Sequence, residues 1–359
     1  MGSMGAPNVP REQSLNLPVI DVSDTSPENG KRLVQAAIDY GFLYVSPEGT
    51  PFNEQLIDAQ FKLSREFFTC PLSEKEKFHV GTDNRGWLGM HNEILDPAKQ
   101  SKEFKEAFNI GEFDEERMPQ QIMPGCLSTE TSLTQLRDFE AACDKTCKMF
   151  LDLIGIGLEV EDGLNWFSKR HGRPSGCTMR MLHYPSLPKG TDYSLDNDVR
   201  AGAHSDYGSI TLLFQRSSQP GLEIRPPGGT DTWAPVAVFP PNYASSSLPP
   251  ILVNIGDLMS YWTSGLLRST VHRVIFPKDT KAGQDRYSLV YFCHPRDDVE
   301  LEAVPSRIVR EHKRRIGQAD EDETLHGYGG GMNGKRAMTA REHLMKRLSA
   351  TYSHRVERS

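Results

Sequence analysis

The stretch Ala201-Gly202-Ala203-His204-Ser205-Asp206-Tyr207-Gly208-Ser209-Ile210-Thr211-Leu212-Leu213-Phe214 places a His-x-Asp triplet directly before an apolar run that opens after a glycine. A run of this length, rich in branched side chains and bounded by turn residues, reads as a strand over Ser209 to Phe214. The same grammar recurs on both sides of it. Met179 to Tyr184, Gly221 to Ile224, Trp233 to Val238, Ile251 to Ile255, Thr270 to Phe276 and Arg286 to Phe292 are short β runs separated by Gly and Pro. Seven such strands imply an antiparallel sandwich or barrel. Pro226-Pro227-Gly228-Gly229 is a hairpin signal, and the Ser-rich segment between Pro240-Pro241 and Pro249-Pro250 reads as an insertion.

Upstream of Gly176 the period changes to that of helices. Leu33, Ala36, Ala37 and Tyr40 mark a helix over about 28–40, Leu56, Ala59, Gln60, Leu63 and Phe67 one over 52–68, and Leu136, Phe139, Ala142, Cys143, Thr146, Phe150, Leu153 and Ile154 a third over 132–157. Short strands are expected at 17–22 and 42–45. From Gly81 to Gly125 the chain reads as loops with one strand at 106–110. Thr339-Ala340-Arg341-Glu342 has the capping-box form, and Leu344, Met345 and Leu348 give the helix after it a buried face. The basic run Arg307 to Arg315 and the acidic Asp320 to Glu323 read as a solvated helix face and loop. Gly329-Gly330-Gly331 reads as a linker, since it lacks the strand and lysine of a phosphate loop. The organisation expected is an N-terminal segment at 15–130, a long helical support at 131–175, a β core at 176–300 and a C-terminal extension at 301–359, all in one compact unit.

The 359 residues carry 41 Lys and Arg against 48 Asp and Glu, a formal charge of −7, which offers nothing to nucleic acid or anionic lipid. No apolar run reaches the ~20 residues of a membrane span, and the N-terminal residues lack a signal-peptide core. A cytoplasmic protein acting on a small molecule is the expectation, with oligomeric state left open. The six cysteines are too scattered for a disulfide framework, and Cys143 and Cys147 fit core packing better than a metal clamp.

In an extended chain residues i and i+2 project to one face, so His204 and Asp206 can reach a common point. His272, 66 positions beyond Asp206 in another strand, is the candidate third ligand. Two imidazoles and one carboxylate on one side of a ferrous ion leave positions open for a bidentate cosubstrate and dioxygen, which predicts oxygen chemistry. Arg286 and Ser288 share a face of their own strand fourteen residues later and form a clasp for a carboxylate. The apolar Leu289-Val290-Tyr291-Phe292 that follows places this arginine in a buried pocket, where it needs an anionic partner. His183 and His294 flank strands and are expected to satisfy local hydrogen bonds.

Taken in order, Leu17-Pro18-Val19-Ile20-Asp21, Asp39-Tyr40-Gly41-Phe42-Leu43-Tyr44-Val45, Glu106-Ala107-Phe108, Tyr184-Pro185, His204-x-Asp206, His272-Arg273-Val274 and Arg286-x-Ser288 resemble the iron(II)/2-oxoglutarate-dependent dioxygenases of the isopenicillin N synthase-like family. The resemblance implies an α+β fold with a double-stranded β-helix (jelly-roll) core flanked by N-terminal and C-terminal helices. It implies Fe(II) on His204, Asp206 and His272, and 2-oxoglutarate on Arg286 and Ser288 with Tyr184 assisting. Dioxygen would be the oxidant, and Phe292, Arg180 and Tyr207 the substrate contacts. Leu182 stands where many plant members have an asparagine. The implied activity is oxidation of a small-molecule C–H bond in secondary metabolism, by hydroxylation or by desaturation, epoxidation or ring closure, with 2-oxoglutarate converted to succinate and carbon dioxide. An iron oxidase of the same family that does not use 2-oxoglutarate, or a ligand-binding homologue without turnover, would share these residues.

Overall fold

Local chemistry sets the helix starts. The Ser26 hydroxyl accepts the Asn29 amide at the head of α1 (Pro27–Asp39), Asn53 does the same for Leu56 at α2 (Glu54–Phe68), and Thr129 for Ser132 at α4 (Glu130–Gly157). A short α3 (Leu72–Lys75) follows α2. Gly41 turns the chain from α1 into the next strand with φ at +67°, and a Cβ there would meet the Arg268 carbonyl at 2.2 Å.

The computed structural model describes residues 15–91, 103–114, 116, 118–186, 199–227, 232–241, 243, 248–276, 284–317 and 337–352. Twelve strands occur there: β1 (Val19–Ile20), β2 (Phe42–Val45), β3 (Gly86–Leu88), β4 (Glu106–Ile110), β5 (Thr178–Tyr184), β6 (Ala201–His204), β7 (Ile210–Gln215), β8 (Leu222–Ile224), β9 (Ala234–Pro235), β10 (Ile251–Ile255), β11 (His272–Val274) and β12 (Arg286–Cys293). Eight form one sheet in the order β1-β2-β10-β7-β12-β5-β4-β3, and four form a second in the order β6-β11-β8-β9. All neighbours are antiparallel except β1 and β2. This is the α+β jelly-roll arrangement expected, with helices covering the outer face of the larger sheet.

The two-residue period of the central strands divides the core. Leu212 and Leu289 join Leu33, Phe61, Phe139 and Ile154 beneath the helices, while Leu213 and Val290 turn the other way to meet Leu222, Ile224 and Val274 of the smaller sheet. Cys143 and Cys147 are fully buried in the first of these layers, and all six cysteines are free thiols. Among the described residues no helix is long and apolar enough to cross a membrane.

Several elements, among them the following, differ from expectation. β3 is three residues inside a Gly- and Asn-rich stretch, β6 is built from small residues without alternation, and the helix α5 (Asp257–Trp262) starts at Gly256 with no side-chain cap. None carries a periodic signal, and each is fixed by its neighbours. The strands read at 233–238 and 270–276 contract to β9 and β11, because their partner β8 offers only three residues. The basic run forms α6 (Arg307–Arg315), and the final helix α7 spans Ala340–Tyr352. Gly228 and Gly229 of the hairpin signal, the serines at 245–247, Asp320 to Glu323 and Gly329 to Gly331 lie outside the described residues.

Candidate active site

Antiparallel pairing of β6 with β11 sets His204 directly opposite His272, their ring centroids 4.3 Å apart. Asp206 follows two residues after the end of β6, and its Oδ1 lies 3.8 Å from Nε2 of each histidine. One donor atom from each of the three falls within 4.8 Å of the other two.

The surroundings orient every one of these donors. His204 Nδ1–H donates to the Gly202 carbonyl at 2.8 Å and His272 Nδ1–H to the Thr270 carbonyl at 3.1 Å, so both Nε2 lone pairs face inward. Thr211 Oγ1 and Asn254 Nδ2 each donate to Asp206 Oδ2 at 2.7 Å, leaving Oδ1 for the centre. Burial, with His272 facing it, pushes His204 down to about 3 and keeps it neutral. Burial works to raise the Asp206 carboxyl, but the two rings and the hydrogen bonds from Asn254 and Thr211 outweigh it and hold it below its usual value. Two imidazole nitrogens and one carboxylate oxygen, pre-aimed at one point, fit a divalent first-row metal and suit ferrous iron.

Arg286 and Ser288 stand on β12 beside β5, where Arg286 pairs with Tyr184 and Ser288 with Leu182. Arg286 is 1% exposed. Its Nη1 donates to Ser288 Oγ at 3.3 Å, Nη2 to Gln215 Oε1 at 3.2 Å and Nε to the Gln219 carbonyl at 3.1 Å, and the guanidinium lies 4.9 Å from the Tyr184 ring. Every acceptor that the described residues offer this buried cation is neutral. The anionic partner expected for it is therefore not a side chain among them.

The three-donor cluster, the Arg286–Ser288 pair and Tyr184 line a single cavity of about 310 Å³, and Arg180, Tyr207 and Phe292 line it too. All nine residues singled out in the sequence are thus brought together. Arg180 Nε donates to Asn109 Oδ1 at 2.7 Å, with its guanidinium 5.6 Å from the Phe292 ring, while the Arg347 guanidinium lies 4.8 Å from the Tyr207 ring.

Other participants escaped sequence reasoning. Asn254 and Thr211 are polar residues inside apolar strands, which was a usable signal. Lys105 and its partner Glu103 sit in the stretch around Arg85 to Asn109 whose loops are expected to wall the pocket, but the sequence gives no side-chain directions there, and it is Lys105 that lines the cavity. His183 meets the expectation of local bonding, to Glu106 at 2.9 Å and Asp285 at 3.1 Å. His294 does not: it is 4% exposed, lines the cavity, and its Nδ1 has no hydrogen-bond partner. The face expected to be buried on α7 is also different. Ala340 and His343 are the buried residues, whereas Leu344, Met345 and Leu348 line the cavity.

Comparison with known proteins agrees with this geometry. Residues 17–125 match the model described as non-haem dioxygenase in morphine synthesis N-terminal, and residues 175–295 match that of the 2OG-Fe(II) oxygenase superfamily. The chain is 31% identical to the 2-oxoglutarate-dependent dioxygenase htyE of Aspergillus rugulosus over 74% of this chain and 81% of that one. It is 32% identical to the proline hydroxylase buaE of Petromyces alliaceus over 70% and 77%. A full-length Neurospora crassa protein crystallised with α-ketoglutarate and thymine superposes with a TM-score of 0.73 at 26% identity, covering 95% of this chain and 99% of that one. The superfamily model spans all three donor residues and the arginine clasp, and the relatives match along most of their length, so this chain belongs to the 2OG-Fe(II) oxygenase superfamily and is an iron(II)- and 2-oxoglutarate-dependent oxidoreductase.

Proposed function

We propose that His204, Asp206 and His272 hold the ferrous ion, that Arg286 and Ser288 hold the distal carboxylate of 2-oxoglutarate with Tyr184 beside it, and that Arg180, Tyr207 and Phe292 touch the substrate. The observation that carries this reading is the shared cavity: a three-donor cluster and a buried arginine whose acceptors among the described residues are all neutral open into one space. Bound iron and 2-oxoglutarate supply oxidation of a substrate C–H bond, coupled to decarboxylation of the cosubstrate to succinate. The chain's own residues do the rest. Arg286 neutralises and orients the cosubstrate, Thr211 and Asn254 keep Asp206 directed at the metal, and the apolar walls from Leu213, Leu222 and Val274 exclude water. Arg180 and Phe292 place one C–H bond within reach, which decides between hydroxylation, desaturation, epoxidation and ring closure.

The substrate class we favour is a small secondary metabolite, oxidised in the cytoplasm, with 176–300 as the catalytic core and the segments 15–130, 131–175 and 301–359 as its supports. Thymine is bound by the Neurospora crassa relative, and a proline hydroxylase is among the curated ones. Thymine and proline are accordingly the first probes, followed by a metabolite panel. The test is substrate-stimulated formation of succinate from 2-oxoglutarate with Fe(II), in the wild type and in Asp206→Ala. Succinate formation that needs iron and Asp206, with a matching amount of oxidised product, supports the assignment. Oxidised product formed without consumption of 2-oxoglutarate, or succinate formation that survives Asp206→Ala, overturns it.

A further inference from the structure

β6 is an edge strand. Among the described residues its only ladder partner is β11, and the register between them shifts between His272 and Val274, so the ladder by itself leaves the approach to His204 weakly fixed. The other side of β6 is held by the chain just before β4. There Phe104 N–H donates to the Val199 carbonyl at 3.3 Å, and Glu103 Oε1 accepts the Gly202 N–H at 3.0 Å. Gly202 is the residue whose carbonyl receives Nδ1–H of His204. The second oxygen of Glu103 lies 2.7 Å from Lys105 Nζ, and the two side chains are only 1% and 5% exposed. A nearly dry ion pair therefore sits one peptide away from a metal-ligand candidate.

We propose that Glu103 and Lys105 are positioning residues for the metal centre: Glu103 fixes the Gly202 peptide, which fixes the His204 imidazole, and Lys105 keeps the Glu103 carboxylate in place. The inference rests on the ferrous reading above and extends it to two residues outside the three-donor set and the Arg286–Ser288 pair. An ion pair this buried contributes little net stability compared with apolar residues of the same size, so a role in setting geometry accounts for its place better than a role in folding. Partners of this kind are worth roughly 10- to 100-fold in metal affinity.

Glu103→Ala leaves a buried ammonium without its carboxylate and risks unfolding. The decisive comparison is between two charge-free double variants, Glu103→Gln with Lys105→Met and Glu103→Leu with Lys105→Met. Glutamine keeps an acceptor for the Gly202 amide and leucine does not. Cobalt(II) is titrated into each and into the wild type, following the visible absorption of the bound ion, and the melting midpoint of each metal-free protein is measured. Expected are similar metal-free midpoints, near wild-type affinity and spectrum for the glutamine variant, and affinity at least roughly 10-fold weaker with an altered spectrum for the leucine variant. Equal cobalt affinities and spectra in the two variants, with normal binding by the wild type, overturn the inference alone. Lower metal-free stability of the leucine variant with unchanged metal affinity also overturns it, by assigning Glu103 to folding. A wild type that binds no cobalt overturns the metal reading itself.

Discussion

Each of the three residues at the centre has its other polar atom, Nδ1 or Oδ2, held by a hydrogen bond, and this makes the consequences of single substitutions separable. Asn254→Leu removes one of the two donors that the described residues give Asp206 Oδ2 and leaves that of Thr211. The carboxylate then gains freedom to rotate, and metal affinity is expected to fall roughly 10- to 100-fold, read by metal titration, with little change in 2-oxoglutarate affinity once metal is saturating. Arg286→Met has the opposite signature. On the proposed assignment Arg286 gives the cosubstrate a charge-assisted hydrogen bond, which contributes about 1.5–3 kcal/mol, so 2-oxoglutarate should bind roughly 10- to 150-fold more weakly while metal binding holds. A variant of Arg286 that loses metal and keeps 2-oxoglutarate would contradict the assignment of its end of the cavity. At this scale the candidate site was largely legible, since His204, Asp206, His272, Arg286 and Ser288 are polar residues at strand spacing amid apolar runs. His294 was misread because burial of a ring without a hydrogen bond depends on neighbours such as Leu344 and Gly176, which are distant in sequence.

Among the elements, α7 carries the sharpest expectation. Its capping box forms as read, with the Thr339 amide donating to Glu342 Oε2 at 2.8 Å and the Glu342 amide donating to Thr339 Oγ1 at 3.2 Å. Leu348→Ala and Met345→Ala enlarge the cavity on the side away from Arg286, so they should raise the substrate KM several-fold and leave the 2-oxoglutarate KM unchanged. Equal effects on both constants would show that α7 does not form the substrate wall. The helices and the long strands could be read from the sequence because period and capping are local. β3, β6 and α5 could not, because each owes its shape to a partner strand or a preceding turn. The sequence placed Leu344, Met345 and Leu348 on one face of a helix correctly, but whether that face meets core or cavity depends on where the helix docks.

Buried neutral histidines give the whole molecule a pH dependence. His171 donates from Nδ1 to the Phe167 carbonyl at 2.7 Å and accepts the Ser209 hydroxyl at 2.9 Å, and burial pushes it down to about 4; burial does the same to His343. Their native pKa lies below the unfolded value near 6.5, so the unfolded chain binds more protons between the two. Stability from these groups is complete above about pH 6.5 and falls as pH drops toward 4, by up to about 1.4 kcal/mol per pH unit for each. Urea unfolding at pH 7.5, 6 and 5 checks this, and His171→Phe should have the shallower slope over that range; identical slopes would refute it. The two walls of the chamber are also fastened by different forces. Most of the enclosure is backbone ladder and apolar contact, indifferent to dissolved ions, whereas α7 is tied by Arg341 to Asp297 at 2.8 Å and by Arg347 to Asp257 at 2.5 Å, with Arg341 well exposed. Concentrated electrolyte therefore loosens the α7 side of the chamber more than the sheets: turnover should decline with added sodium chloride while the melting midpoint of the protein changes little.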